Sequence, residues 1–250
     1  MTEARDNLKR IMYDVCKHYG YTPEPMNNPR LDMAVLKAYI STLEYKTVEA
    51  FLRQLWGACL NYYREDIDSF EFIDSMTVSI AEQLTRAWNE GMREVGAEPG
   101  DMTDADQDVL DGIIQNEYDY ILGLADSVDQ ARADGLDRVE FSTRFKPRVD
   151  MWANRYPDVV NQAKLYYGKK EKLIWVLGAT EEHCTSCAAL NGIVAYAEEW
   201  DQSGVRPQNP PKSAIECGGW KCDCSLEVTD RRRSAGALTS IMDIATSGNV

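Results

Sequence analysis

From the start of the chain to about residue 140, apolar residues recur at three- and four-residue steps, the spacing that gathers them on one helix face. Over 3–20 they are Leu8, Ile11, Met12, Val15 and Tyr19, with Gly20 as a stop. The prolines of 21–29 predict a loop, and helices follow over 30–44, 47–65 and 68–95. Phe51, Leu52, Leu55, Trp56, Cys59, Leu60 and Tyr63 form one stripe. Ile73, Met76, Ile80, Leu84, Trp88 and Met92 form another. Aromatic residues at helical spacing read as core rather than as a stacking platform. Pro99 and Gly100 break the pattern between Gly96 and Thr103. A helix over 104–133 then carries Leu110, Ile113, Ile114, Tyr118, Ile121, Leu124 and Val128. These segments predict an all-helical bundle over residues 1–140, acidic on its outside. Cys16 falls on the apolar side of the first helix and reads as packing, and His18 as a boundary residue.

The pattern changes beyond 140. A helix is expected over 148–167, with Trp152, Tyr156, Val159, Val160 and Ala163 inward and a kink at Pro157. It leads into a strand over 172–178, and Ser225–Thr229 reads as a closing strand. The small-residue tail from 230 is expected to be poorly ordered unless Leu238, Ile241 and Met242 dock it as a short helix. The predicted class is therefore α+β: a helical bundle (1–140), a small α+β module (141–229) and a tail (230–250).

Charge narrows the function. The formal net charge is −14, which argues against coating of a polyanion by the whole surface. The basic residues concentrate in 144–172, as Arg144, Lys146, Arg148, Arg155, Lys164, Lys169, Lys170 and Lys172, and again at Arg231-Arg232-Arg233. Such a segment either complements acidic neighbours or meets DNA or an acidic partner. No apolar run is long enough to span a membrane. No Gly-rich phosphate loop or G-x-S-x-G elbow occurs, and two histidines leave little for a Ser/His/Asp arrangement. Asp104, Asp106 and Asp108 lack the Gly and Glu of a calcium loop and read as an acid-rich helix start.

Chemistry concentrates in 175–226, which holds five of the seven cysteines. Cys184-x-x-Cys187 is a turn that supplies two ligands to a tetrahedral metal. Cys217, Cys222 and Cys224 offer three more, with Gly218-Gly219 allowing a tight fold beneath the ion. A structural zinc would use Cys184 and Cys187 and two of the later three, leaving one thiol over. His183 adjoins Cys184 and is poorly placed to share its ion. Secreted disulfides fit less well, because the first residues are charged and helix-like, unlike a secretion signal. A thioredoxin-like pair at Cys184 and Cys187 is the competing reading, since a strand precedes it; Asn191-Gly192 interrupts the helix that should follow. A zinc deaminase would need H-x-E, which is missing.

Trp175, the acidic Glu181-Glu182, Cys184-x-x-Cys187, Leu190-Asn191-Gly192 and the terminal Cys222-x-Cys224 before Leu226 occur in an order that resembles the C-terminal domain of phage Mu F-like minor head proteins, the head morphogenesis family of tailed phages. Arg148 and Asn161 fall roughly where that domain has its Arg-containing helix. The resemblance covers about residues 145–228. It departs at Cys217-Gly-Gly-Trp-Lys-Cys222, which replaces H-P-x-C, so that Cys217 would take the histidine's part, and at Glu182 in place of Asp. It implies a non-enzymatic virion component that docks to the portal and major capsid protein inside the head. It further implies a site in the host cytoplasm during assembly and contact with packaged DNA.

Overall fold

The computed structural model describes residues 48–179, 183–208, 215–218 and 222–247. The helices predicted over 3–20 and 30–44, with Cys16 and His18, lie outside these. Residues Ala50–Val250 belong to one compact unit. It is mostly helical, with a small antiparallel sheet near its C-terminal end, so the α+β class holds.

The bundle is built of α1 (residues 48–63), α2 (Ser69–Glu94), α3 (Asp104–Ala133) and α4 (Arg138–Asp150). Each of the last three starts on a reciprocal cap. Asp68 with Glu71, Thr103 with Asp106 and Asp137 with Glu140 satisfy amide N–H groups that the first turn leaves free. The acids at 104–108 are thus a helix start, as their pattern predicts. The stripes read from the sequence face inward: Leu55, Cys59, Met76, Ile80, Leu84, Trp88, Leu110, Ile121 and Val128 are all buried. Burial in this core pushes the Cys59 thiol up to about 12, so it packs as a small apolar group.

One helix was expected over 148–167, and the chain makes two. α4 ends at Asp150, a 3-10 turn runs Met151–Asn154, and α5 (Arg155–Tyr167) follows directly. The change to 3-10 geometry precedes Pro157, which sits in the first turn of α5, where its missing N–H removes no helical bond. α4 itself, which carries Phe141, Phe145 and Val149 into the core, was not anticipated.

α5 joins two hydrophobic clusters. Val159, Val160 and Ala163 belong to the bundle's cluster, whereas Leu165 begins a second that continues through Leu173, Trp175, Trp200, Leu226 and Ile241. Against α2 the approach is close enough to need glycine. A Cβ on Gly91 would overlap the Val160 carbonyl and lie 2.7 Å from the Ala163 Cβ. Buried ion pairs add to the junction. The Glu117 carboxylate accepts from Trp152 Nε1 at 3.0 Å and Arg155 Nε at 2.7 Å. The fully buried Asp158 pairs with Arg155 and, at 2.8 Å, with Arg206. Two carboxylates and two guanidinium groups balance, which is what lets charge be buried here.

Much of the basic segment is consumed in this way. Lys164 is buried, 2.5 Å from Glu94, and donates to the Leu226 carbonyl at 2.8 Å. Lys146 pairs with Asp150, Arg148 lies over the Phe145 ring, and Arg233 pairs with Glu199.

The sheet has the order β2-β1-β3, with β1 (Lys172–Val176) central and antiparallel to β2 (Val194–Tyr196) and β3 (Ser225–Val228). Leu173 lies opposite Ala195 and Trp175 opposite Leu226. Between the strands come α6 (Thr185–Leu190) and α7 (Ala197–Ser203). β2 and α7 were not foreseen. The tail forms α8 (Ala237–Ser247), which docks through Ala237, Ile241 and Ala245; Met242, expected inward, is exposed. Among the described residues no helix is long and apolar enough to cross a membrane.

Gly91→Ala is expected to destabilise the protein by about 1–3 kcal/mol through overpacking, outweighing the roughly 1 kcal/mol that alanine gains in a helix. Urea unfolding of the two proteins measures the difference.

Candidate metal centre

Cys184 caps the short helix α6, and its sulfur accepts the Cys187 N–H at 3.3 Å. That bond fixes the two thiols of the C-x-x-C turn on one side. The helix stops at Asn191, and Gly192, at φ +82°, turns the chain back. Gly192 N–H then donates to the Trp175 carbonyl at 2.9 Å, and Trp175 N–H to the Ile193 carbonyl at 3.1 Å. The first knuckle is thereby tied to the central strand, with Cys187 and Leu190 buried beneath it.

The second half closes on the first through Glu216. Its carboxylate accepts from the Thr185 N–H at 2.8 Å and hydroxyl at 2.5 Å, while its own N–H donates to Ser186 Oγ at 3.1 Å. The Thr185 bonds hold the Glu216 carboxyl below its ordinary range. The next residue is Cys217, and Gly218, at φ +59°, makes the turn that a side chain would strain. Cys222 and Cys224 lie just before β3. Their carbonyls both accept from Nε2 of the buried Gln208, at 2.7 Å for Cys222. Gln208 Oε1 accepts from Asn161 Nδ2 at 3.1 Å, and Asn161 Oδ1 accepts from the Leu226 N–H at 3.4 Å. A buried amide pair therefore anchors the second knuckle to α5.

All five cysteines named from the sequence come together. Their sulfurs fall into two triads, Cys184–Cys187–Cys217 and Cys187–Cys222–Cys224, with the ligand atoms of each within 4.8 Å of one another. Cys187, Cys222 and Cys224 are buried; Cys184 and Cys217 are half-buried. His183 belongs to neither triad. The thiols share their protons unequally. Cys187 is pushed up by its contact with Cys217, then by Cys222, Cys224 and burial. Cys224 is held down by the Cys187 and Cys222 thiols, with the Gly178 N–H and the Trp175 indole adding to the effect. Trp175 Nε1 is buried without a regular hydrogen-bond partner, and its use is to face this sulfur.

The donor set fits a metal ion. Thiolates are soft ligands, and an unmetallated thiolate buried among apolar side chains would be costly. N–H groups aimed at Cys184 and Cys224 supply the outer hydrogen bonds that orient metal-bound sulfur. The cluster can therefore hold a metal ion.

Gly178, Gln208 and Glu216 were not singled out from the sequence. Gln208 and Glu216 act through contacts across tens of residues, which no local pattern discloses. Gly178 had a local signal, a glycine directly after a strand. A Cβ there would run into the Cβ and carbonyl of Asp223, between the last two cysteines. Asn161 was read only as a landmark, and Arg148, the other one, lies over Phe145 in the bundle.

Compared with protein-family models, with curated proteins and with solved structures, the chain gives no match.

Gly178→Ala is expected to push the Cys222-x-Cys224 knuckle off β1 and lower the metal bound per chain, with helix content unchanged. Metal analysis after dialysis, beside far-UV circular dichroism, reads both; full metal retention would refute the close-approach argument.

Proposed function

We propose that this is a structural assembly protein whose C-terminal module is stapled by zinc, and that it serves as a minor head protein of a tailed bacteriophage. The observation that carries the proposal is the convergence of Cys184, Cys187, Cys217, Cys222 and Cys224 into one cluster. The resemblance to the Mu F-like family rests on landmarks from Trp175 to Leu226, of which Glu181-Glu182 lie outside the described residues; the positions of the others support the reading. Trp175 lies behind Cys224, Leu190 in the core, Asn191-Gly192 at the helix stop and Leu226 opposite Trp175.

Zinc is the ion of choice because, among the described residues, the gathered donors are all thiols and outnumber the four positions of a tetrahedral ion, the pattern of a closed structural site. A closed site does not present a metal to substrate, which favours docking over catalysis. The thioredoxin-like reading of Cys184 and Cys187 draws less support, since Cys217, Cys222 and Cys224 crowd against the pair and a redox dithiol has no use for three further thiols.

Docking to the portal and major capsid protein, within the head, follows from the same resemblance. For DNA contact the surface is narrow. Lys172 Nζ donates to the carbonyls of Asp230 and Arg231, which ties the segment carrying the exposed Lys169 and Lys170 to the one carrying the exposed Arg231 and Arg232. Any phosphate contact would come from there.

The test is co-expression with the cognate portal and capsid proteins, followed by affinity capture and metal analysis. The captured chain should carry about one zinc and stay with the portal at moderate salt. Replacement of both Cys184 and Cys187 by serine should abolish both properties. A metal-free chain that turns over a disulfide substrate and captures neither protein would install the redox reading instead.

A further inference from the structure

The five thiols outnumber the positions of one tetrahedral ion, and their arrangement says how the excess is placed. They group as two triads rather than one set of four, and the triads share a single vertex, Cys187. Cys187 lies against all four other thiols. Five donors with one counted twice make two sets of three. A three-coordinate ion at a metal–sulfur length of about 2.3 Å needs sulfurs roughly 4 Å apart, which each triad meets with little movement. A tetrahedral ion must instead draw thiols from both triads onto one centre.

We propose that the cluster also takes two monovalent thiophilic ions of the copper(I) class, one in each triad, with the Cys187 thiolate bridging them. Soft thiolate donors select copper(I). The inference rests on the cluster being a metal centre, as the proposed function requires, and adds a second occupancy to it. Each thiol that ligates loses its proton to solvent, and no electron is transferred, because the ion enters and stays as copper(I). The two positions differ in access. Cys184 and Cys217 are half-buried, so the ion of their triad exchanges with solvent, whereas Cys222 and Cys224 are buried and hold theirs.

The experiment is an anaerobic titration of the reduced, metal-free full chain with copper(I), in competition with a chromophoric copper(I) chelator, alongside a parallel zinc titration. The expected endpoints are about two copper(I) per chain and about one zinc. Cys184→Ser keeps a capping oxygen at the start of α6, so the fold survives, and it should take only one copper(I), held against the chelator. Cys224→Ser should also take one, but lose it readily. A copper(I) endpoint of one in the unaltered chain, with zinc still bound at one, overturns the bridged pair and leaves the zinc centre standing. Failure to bind either ion overturns both.

Discussion

Everything in the C-terminal module is arranged around five sulfurs that have to be kept close together. Thiols gathered at this density repel one another once ionised, and the module's apolar core has to oppose that. Its core is a patch of side chains around Trp175 and Trp200, whose rings lie 5.7 Å apart beneath a three-stranded sheet. A metal held by these thiols would turn the liability into stability, because the roughly 10–16 kcal/mol seen for structural zinc in small domains is realised only when the ligands are assembled. The surrounding bonds follow from that need. Cys184 takes the Cys187 amide, Glu216 locks the two halves together through Thr185 and Ser186, and Gln208 holds the carbonyls on either side of Asp223.

The helix α5 carries this arrangement into the bundle. Its Val160 and Ala163 meet α2 at Gly91, while Asn161 and Lys164 reach the β3 backbone at Leu226. Asp158 ties Arg155 on the same helix to Arg206 in the module. α5 thus couples the module to the bundle, with buried polar bonds on one side and close packing on the other.

The bundle helices were legible because their information is local. Stripes such as Met76, Ile80, Leu84 and Trp88 repeat with the helical period, and the ends at 69, 94, 104 and 133 carry capping residues or glycines. The cysteines were legible because thiol spacing is a chemical signature. What escaped were elements too short to show a period, β2 and α7, and the helix α4, whose basic face and Pro147 masked the apolar spacing of Phe141, Phe145 and Val149. The basic segment misled for a related reason. Sequence shows charge but not its partner, and Lys164 and Arg155 turned out to be committed to Glu94, Glu117 and Asp158. Gln208 gave no sign of its role, since a single glutamine in a loop becomes structural only when Asn161 lies across from it.

The most direct test of the account is amide hydrogen exchange of the full chain, with its metal bound and after removal by a chelator. Loss of metal should strip protection from β1, α6 and β3 together, while the amides of α2 and α3 keep theirs. Protection in β1 and β3 that is unchanged in a chain shown to be metal-free would contradict the claim that a metal–thiolate centre holds this module together.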